Sequence, residues 1–211
     1  MTDSDQNPPQ THTFILASGS PYRARALREL GYDFQVEMPD TNEDAERAAA
    51  PDVSPKELAA LLGLAKCRAV AARHAKQIVV AGDQVGVCNE TILTKPGTRQ
   101  RAIEQLLSCS SSSALFHSSA VVWDPVAGSF LQTVVDTELK FRTLSEREVE
   151  TYIDLDQPLD CAGAFKIESR GVLLFEKVAA NDPTALVGLP MLWVQQTLRT
   201  LGVCPLSSQN H

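Results

Sequence analysis

The sequence lacks the marks of a membrane, secreted or metal-finger protein. No apolar run in its 211 residues approaches the roughly 18 needed to cross a bilayer. Residues 1–13 (MTDSDQNPPQTHT) hold no apolar signal-peptide core and read as a polar N-terminal arm. The cysteines (Cys67, Cys88, Cys109, Cys161, Cys204) are odd in number, scattered and without a C-x-x-C pair, which predicts free thiols in a reducing cytoplasm. His12, His74, His117 and His211 show no metal-ligand spacing, so zinc is not expected. Positive charge is short as well. Nineteen Lys+Arg against 26 Asp+Glu leave a net charge of −7, without the basic footprint that nucleic-acid binding needs. A polyanionic ligand would have to be met by local charge. A Walker loop is absent, and so are internal repeats and long linkers.

What remains is the composition of a folded protein, 44% hydrophobic and 21% charged. A single domain over 14–204 with a tail at 205–211 fits this length. Phe14–Ala17 reads as a buried strand. Ser20 is a natural N-cap, with Pro21 at the first helical position and Gly31 at the stop. Tyr32–Met38 alternates like a half-buried strand, with Tyr32, Phe34, Val36 and Met38 on one side. An acidic loop containing Asp40, Glu43, Asp44 and Glu46 follows. The Ser54–Glu57 capping box opens a helix to about His74. Ile78–Ala81 and Val85–Cys88 read as strands, the latter closed by Asn89-Glu90, and Thr98–Leu107 as a helix. Leu115–Trp123 and Phe130–Phe141 are β-rich and joined by a hairpin at Asp124–Gly128. Ser145–Glu148 caps a helix to about Leu155. A strand over Val172–Val178 and a final helix over Leu189–Leu201 complete the chain. The pattern predicts an α/β fold with a mixed, elongated central sheet flanked by helices, in two lobes around a cleft.

The chemistry sits in short polar insertions at the ends of apolar runs. Ser18-Gly19-Ser20 opens a helix, offering N–H groups, hydroxyls and a positive dipole end, with Arg23, Arg25 and Arg28 behind. A capped helix with a solvated basic face is the plainer alternative. Asp83 follows a buried strand and Gly82, where ligands gather in α/β sheets, although a turn aspartate would look the same. Lys95-Pro96 ends another apolar run and Lys66 lies on an otherwise apolar helix, where a snorkelling lysine is the alternative. Glu43 belongs to a cluster that solvation alone could explain. Lys166 and Glu168 would share a face on an extended backbone. Together these groups suit a triphosphate, with oxygen ligands for magnesium or manganese.

Seven blocks, in order, resemble the Maf family of nucleoside triphosphate pyrophosphatases. They are Ile15–Pro21 with Arg23, Glu43, Lys66, Gly82-Asp83-Gln84, Lys95-Pro96, Leu159–Phe165 and Leu186–Pro190. The resemblance implies cleavage between α- and β-phosphates, a divalent metal, a cytoplasmic setting and a homodimer. It implies Asp83 as the catalytic proton acceptor, with Glu43, Lys66 and Lys95 as further catalytic residues. Ser18, Ser20 and Arg23 would bind phosphate, and Asp83 and Glu43 would hold the metal. Tyr22, Gln84 and Glu168, where most members have Arg, Thr and Gln, are similar to the branch that hydrolyses 7-methyl-GTP. Alternatives are a pyrophosphatase for ordinary pyrimidine triphosphates and a non-catalytic regulator of cell division. The chain departs from the family pattern at Thr94, Leu62, Gly63, Cys109–Ser113 and His117–Ser119. Glycine inside a helix is expected to loosen Lys66, at roughly 1 kcal/mol relative to alanine.

Overall fold

The computed structural model describes residues 14–207. The expected arm at 1–13 and the end of the expected tail, 208–211, lie outside them. One eight-stranded sheet organises the chain. β1 (Phe14–Ala17) lies between β2 (Phe34–Glu37) and β3 (Val79–Ala81), parallel to both. β3 and β4 (Gln84–Cys88) both pair antiparallel with β6 (Ser113–Asp124), in a register unbroken from Ala81↔Val121 to Gln84↔Ser118. They therefore act as one strand opened at Gly82-Asp83. β5 (Thr91–Leu93) pairs with β4 across a turn in which Asn89 and Glu90 both have positive φ. β7 (Ser129–Phe141) covers the other edge of β6, and β8 (Phe175–Ala180) pairs with β7.

Alternation along β6 explains the layers, because residues two apart share a face. Ala120 and Val122 pack under α1 (Pro21–Glu29) and α6 (Met191–Thr200) through Ala24, Leu27, Val194 and Leu198. Ala114 and Phe116, on the same face, pack under α4 (Arg99–Cys109) and α5 (Glu146–Asp156). Ser118, fully buried, lies between these two apolar clusters. The opposite face carries α3 (Pro55–Ala71), whose Cys67 and Val70 meet Val79 and Val121 while Leu58 and Leu62 meet Val85. The mixed sheet, with helices on both faces, is the architecture expected from sequence. Among the described residues no helix is long and apolar enough to cross a membrane. All five cysteines are free, as expected.

Several element expectations need correction. The acidic segment is a helix, α2 (Glu43–Ala49), because Asn42 caps it and the carboxylates of its first turn suit the dipole. It buries no residue, so no apolar stripe announced it. β2 is an edge strand, and the side expected to be half-buried is covered only at its start, where Tyr32 and Phe34 meet the core, while Val36 is 46% and Met38 66% exposed. The strand expected over Val172–Val178 begins only at Phe175. Gly171 donates to Lys166 O and packs on that backbone, which winds Arg170–Leu174 into 3₁₀ turns. The short strand β5 was not foreseen.

The α6 terminus is capped from a distance. Pro190 supplies no side-chain cap, and buried Asp182 accepts from Leu192 N at 2.9 Å and from Thr184 N at 2.9 Å. Thr184 Oγ1 in turn accepts from Met191 N at 2.9 Å. Asp182→Ala strands these donors, and urea denaturation should show a loss of about 2 kcal/mol.

Candidate active site

β1 and β3 run parallel, so their carboxyl ends open on the same edge of the sheet. There the chain leaves β1 through Ser18 and leaves β3 through Gly82-Asp83. Ligands collect at such strand ends because the backbone turns away and exposes its dipoles. Ser20 caps α1 by accepting from Arg23 N, and Pro21 starts it, as the sequence predicts. Ser18 is buried and its Oγ accepts from Ser20 N at 3.1 Å and from Arg23 at 3.2 Å.

Arg23 is not on a solvated basic face. It is 8% exposed, and its guanidinium donates to Gly188 O at 2.9 Å and Gly82 O at 2.9 Å. Burial pulls its affinity for the proton down, while Asp83 and Glu43 pull it up. Gly188, at φ 120°, lies flat against this side chain; a Cβ there would sit 3.2 Å from Nε. The Leu186–Pro190 block thus serves to seat Arg23.

Lys66 joins the two acidic candidates. Its Nζ pairs with Asp83 Oδ1 and, at 2.8 Å, with Glu43 Oε1. Asp83 and Lys66 are buried, whereas the Glu43 side chain is 46% exposed. Burial pushes the Glu43 carboxyl up, but the Lys66 hydrogen bond and charge, with Lys95 and Arg47 behind, hold it below the ordinary carboxylate range. Gly63 does not loosen Lys66. α3 runs unbroken through it, and the lysine is held by two carboxylates.

Lys95 stands exposed in the loop after β5, close enough for its charge to reach Glu43 but without an ion pair among the described residues. Gln105 on α4 clamps this loop, accepting from Thr94 N at 3.1 Å and donating to Thr94 O at 3.0 Å. Gly97 N donates to Leu159 O at 2.9 Å on the other side. The Thr94 departure is thereby accommodated.

The three expected specificity residues separate. Tyr22 and Glu168 line one cavity of about 270 Å³ with Arg25, Thr184, Val187 and Met191. Gln84 points elsewhere, donating to Ser118 Oγ at 2.8 Å and to Ala185 O and Leu186 O at 3.2 Å each. It ties the 3₁₀ turn Ala185–Val187 to the sheet, and that turn contributes Val187 to the cavity wall. Tyr22 Oη donates to Asp160 at 3.2 Å, and burial, Cys161 and Asp160 together raise its pKa above the ordinary tyrosine value. Lys166 Nζ lies 5.9 Å from the Tyr22 ring centroid and donates to Asp156 O and Gln157 O. Residues 167–169 form a turn, so Lys166 and Glu168 do not share the extended face that their spacing allowed.

Asp160, Gln105, Ser118 and Ser119 also lie here, and sequence reading gave none of them a role: Asp160 fell within the Leu159–Phe165 block, and Ser118 and Ser119 stood only as departures from the family pattern. Their partners lie far along the chain, and no local spacing signals them. Among the described residues no group of three or more His, Cys, Asp or Glu could hold a metal ion, so a divalent ion would have two protein carboxylates at most.

The arrangement is that of an α/β protein with a charge-compensated cluster of ionic side chains at its strand ends. Residues 13–201 match the family of Maf-like proteins, and the chain belongs to it. Relatives include a protein named 7-methyl-GTP pyrophosphatase of Idiomarina loihiensis, 39% identical over 93% of this chain and 98% of its own length. Another of that name, from Aromatoleum aromaticum, is 38% identical over 90% of this chain and 95% of its own. The Staphylococcus aureus Ham1 protein structure overlaps 61% of this chain and 71% of its own at 16% identity, with a TM-score of 0.41.

In Lys66→Met, Glu43 loses the pull that overrides burial, so its carboxyl should titrate higher, as followed by carbon-detected NMR. The sign fixes a stability window. A carboxyl lowered on folding contributes above its unfolded value, 4.5, and that contribution is lost as pH falls through the lower folded value.

Proposed function

We propose that the chain is a nucleoside triphosphate pyrophosphatase that hydrolyses 7-methyl-GTP to 7-methyl-GMP and diphosphate. The observation that carries the reading is the buried Asp83–Lys66–Glu43 constellation, with Arg23 and Lys95 close by, at one edge of the sheet. Two carboxylates face three cations there, so a chain of net charge −7 presents a locally positive site for a polyphosphate. The names of the relatives support the same activity.

Asp83 accepts the proton of a water whose oxygen attacks the α-phosphorus. The bond from that phosphorus to the α–β bridging oxygen breaks, and diphosphate leaves. Lys66, Lys95 and Arg23 neutralise the charge that grows on the leaving group, while Ser18, Ser20 and the start of α1 hold non-bridging oxygens. Asp83 and Glu43 already share one cation, Lys66, and fit magnesium or manganese, which takes one or two carboxylates and fills its shell with phosphate and water. Such an ion would supply further charge neutralisation at the bridging phosphates.

The cavity beside the site suits a methylated guanine. N7-methylation makes the base cationic, which the Tyr22 ring and the Glu168 carboxylate both attract. Glu168 accepts from N1–H and the exocyclic amine. Gln84 acts on specificity through the Ala185–Val187 wall. A cytoplasmic setting and a homodimer complete the proposal.

Diphosphate release from 7-methyl-GTP, GTP, UTP, dTTP and CTP is the direct test, and 7-methyl-GTP should be preferred. A pyrimidine preference would overturn the specificity reading, and inactivity towards all five would overturn the function. Asp83→Asn should lower kcat at least about 100-fold. Glu168→Gln should reduce the preference for 7-methyl-GTP over GTP about 10-fold, read as a ratio of kcat/KM values.

A further inference from the structure

The register of β3 and β4 on β6 sets Asp83 opposite Ser119. Opposed residues in an antiparallel ladder alternate between pairs that exchange two backbone hydrogen bonds and pairs that exchange none, and Asp83–Ser119 is of the first kind. Ser119 N donates to Asp83 O at 2.8 Å, which completes one of the two bonds. The other is diverted: Asp83 N donates to the Ser119 hydroxyl, at 2.9 Å. That hydroxyl has one proton, and its shorter acceptor contact is Ala59 O on α3 at 2.7 Å, against 3.2 Å to Asp83 O. Ser119 is fully buried, so water cannot replace any of these bonds.

One turn beyond Ala59, Gly63 faces the same hydroxyl. A Cβ at 63 would overlap Ser119 Oγ and stand 3.4 Å from Asp83 N. The next residue of α3 on this side is Lys66, the partner of Asp83. A single oxygen therefore joins the backbone of Asp83 to the helix that carries Lys66.

We infer that Ser119 is a positioning residue that sets Asp83 against Lys66, and that Gly63 is the vacancy which lets it do so. Ser119 touches neither phosphate nor base in this scheme. It fixes the peptide from which the carboxylate projects, and a fixed carboxylate shortens the search for attack geometry. The inference rests on Asp83 as the proton acceptor proposed above. One readout is therefore chosen that needs no turnover.

The experiment is a cycle of Ser119→Ala, Gly63→Ala and the double variant, measuring kcat and KM with 7-methyl-GTP. Hydrogen exchange of the Asp83 amide is followed in each protein. Ser119→Ala should lower kcat about 10-fold with KM within about twofold, and speed exchange at Asp83 about 10-fold or more. Gly63→Ala should lose at least as much kcat, because its methyl displaces the hydroxyl. The double variant should be no slower than Ser119→Ala, since the overlap is gone and the methyl fills the space. Ser119→Ala with wild-type kcat and wild-type exchange overturns the inference. So do single losses that multiply in the double variant, or thermal midpoints that fall in step with kcat throughout. If the wild type hydrolyses no nucleotide, the proposed function fails, and unchanged exchange at Asp83 in Ser119→Ala would still be needed to reject the hydroxyl's role.

Discussion

A lysine buried between two carboxylates is the constraint on which the rest of the site depends. Removing Lys66 and Asp83 from water carries a desolvation cost of several kcal/mol per ion, and only close, mutually satisfied geometry offsets it. The fold supplies that geometry from three elements. α3 brings the lysine, the opening between β3 and β4 brings Asp83, and α2 brings Glu43 at its first turn. Arg23 repeats the solution a few ångströms of backbone away. Its guanidinium is buried against the carbonyls of Gly82 and Gly188, so the same dipeptide that presents Asp83 also anchors the arginine.

The break in the strand is what makes this possible. A continuous β3–β4 strand would commit Gly82 and Asp83 wholly to the ladder. Gly82 instead lies so close to β6 that a Cβ would overlap Ser119 O, and its carbonyl turns to Arg23. Register is kept on both sides of the break, so the sheet loses no alignment of its apolar faces while gaining one polar opening.

Most of this framework was legible in the residues because its signals are local. Ser20-Pro21, the Ser54 and Ser145 capping boxes and the Asn89-Glu90 turn each act within a few positions, and each element is found where expected. Buried strands such as Val79–Ala81 announce themselves by apolar runs. The candidate site residues were named from polar insertions at the ends of apolar runs and from the resemblance to the Maf family. What sequence could not yield is their partnership. Gln84 was expected as a specificity residue, and its amide is spent on carbonyls about a hundred residues away. Gly63 read as a weak point in a helix and Ser119 as a separate departure from the family pattern, whereas in the fold they are two halves of one contact. α2 was missed because a helix with no buried face leaves no periodicity.

The resting pairing also bears on how the proposed hydrolysis would be timed. While Lys66 holds Asp83 and Glu43, the Asp83 carboxylate is occupied by the ammonium. An arriving triphosphate competes for the same ammonium with more negative charge than either carboxylate. Lys66 has one flexible stem and can turn toward the phosphates, whereas Asp83 is tied through its backbone to β6 and through Ser119 to α3. The mobile partner is thus the cation, and the fixed partner is the carboxylate proposed as the base. On the proposed mechanism, binding of substrate would free Asp83 when a water and a phosphorus are both within its reach, so that charge compensation in the empty site and catalysis in the filled one would use the same lysine.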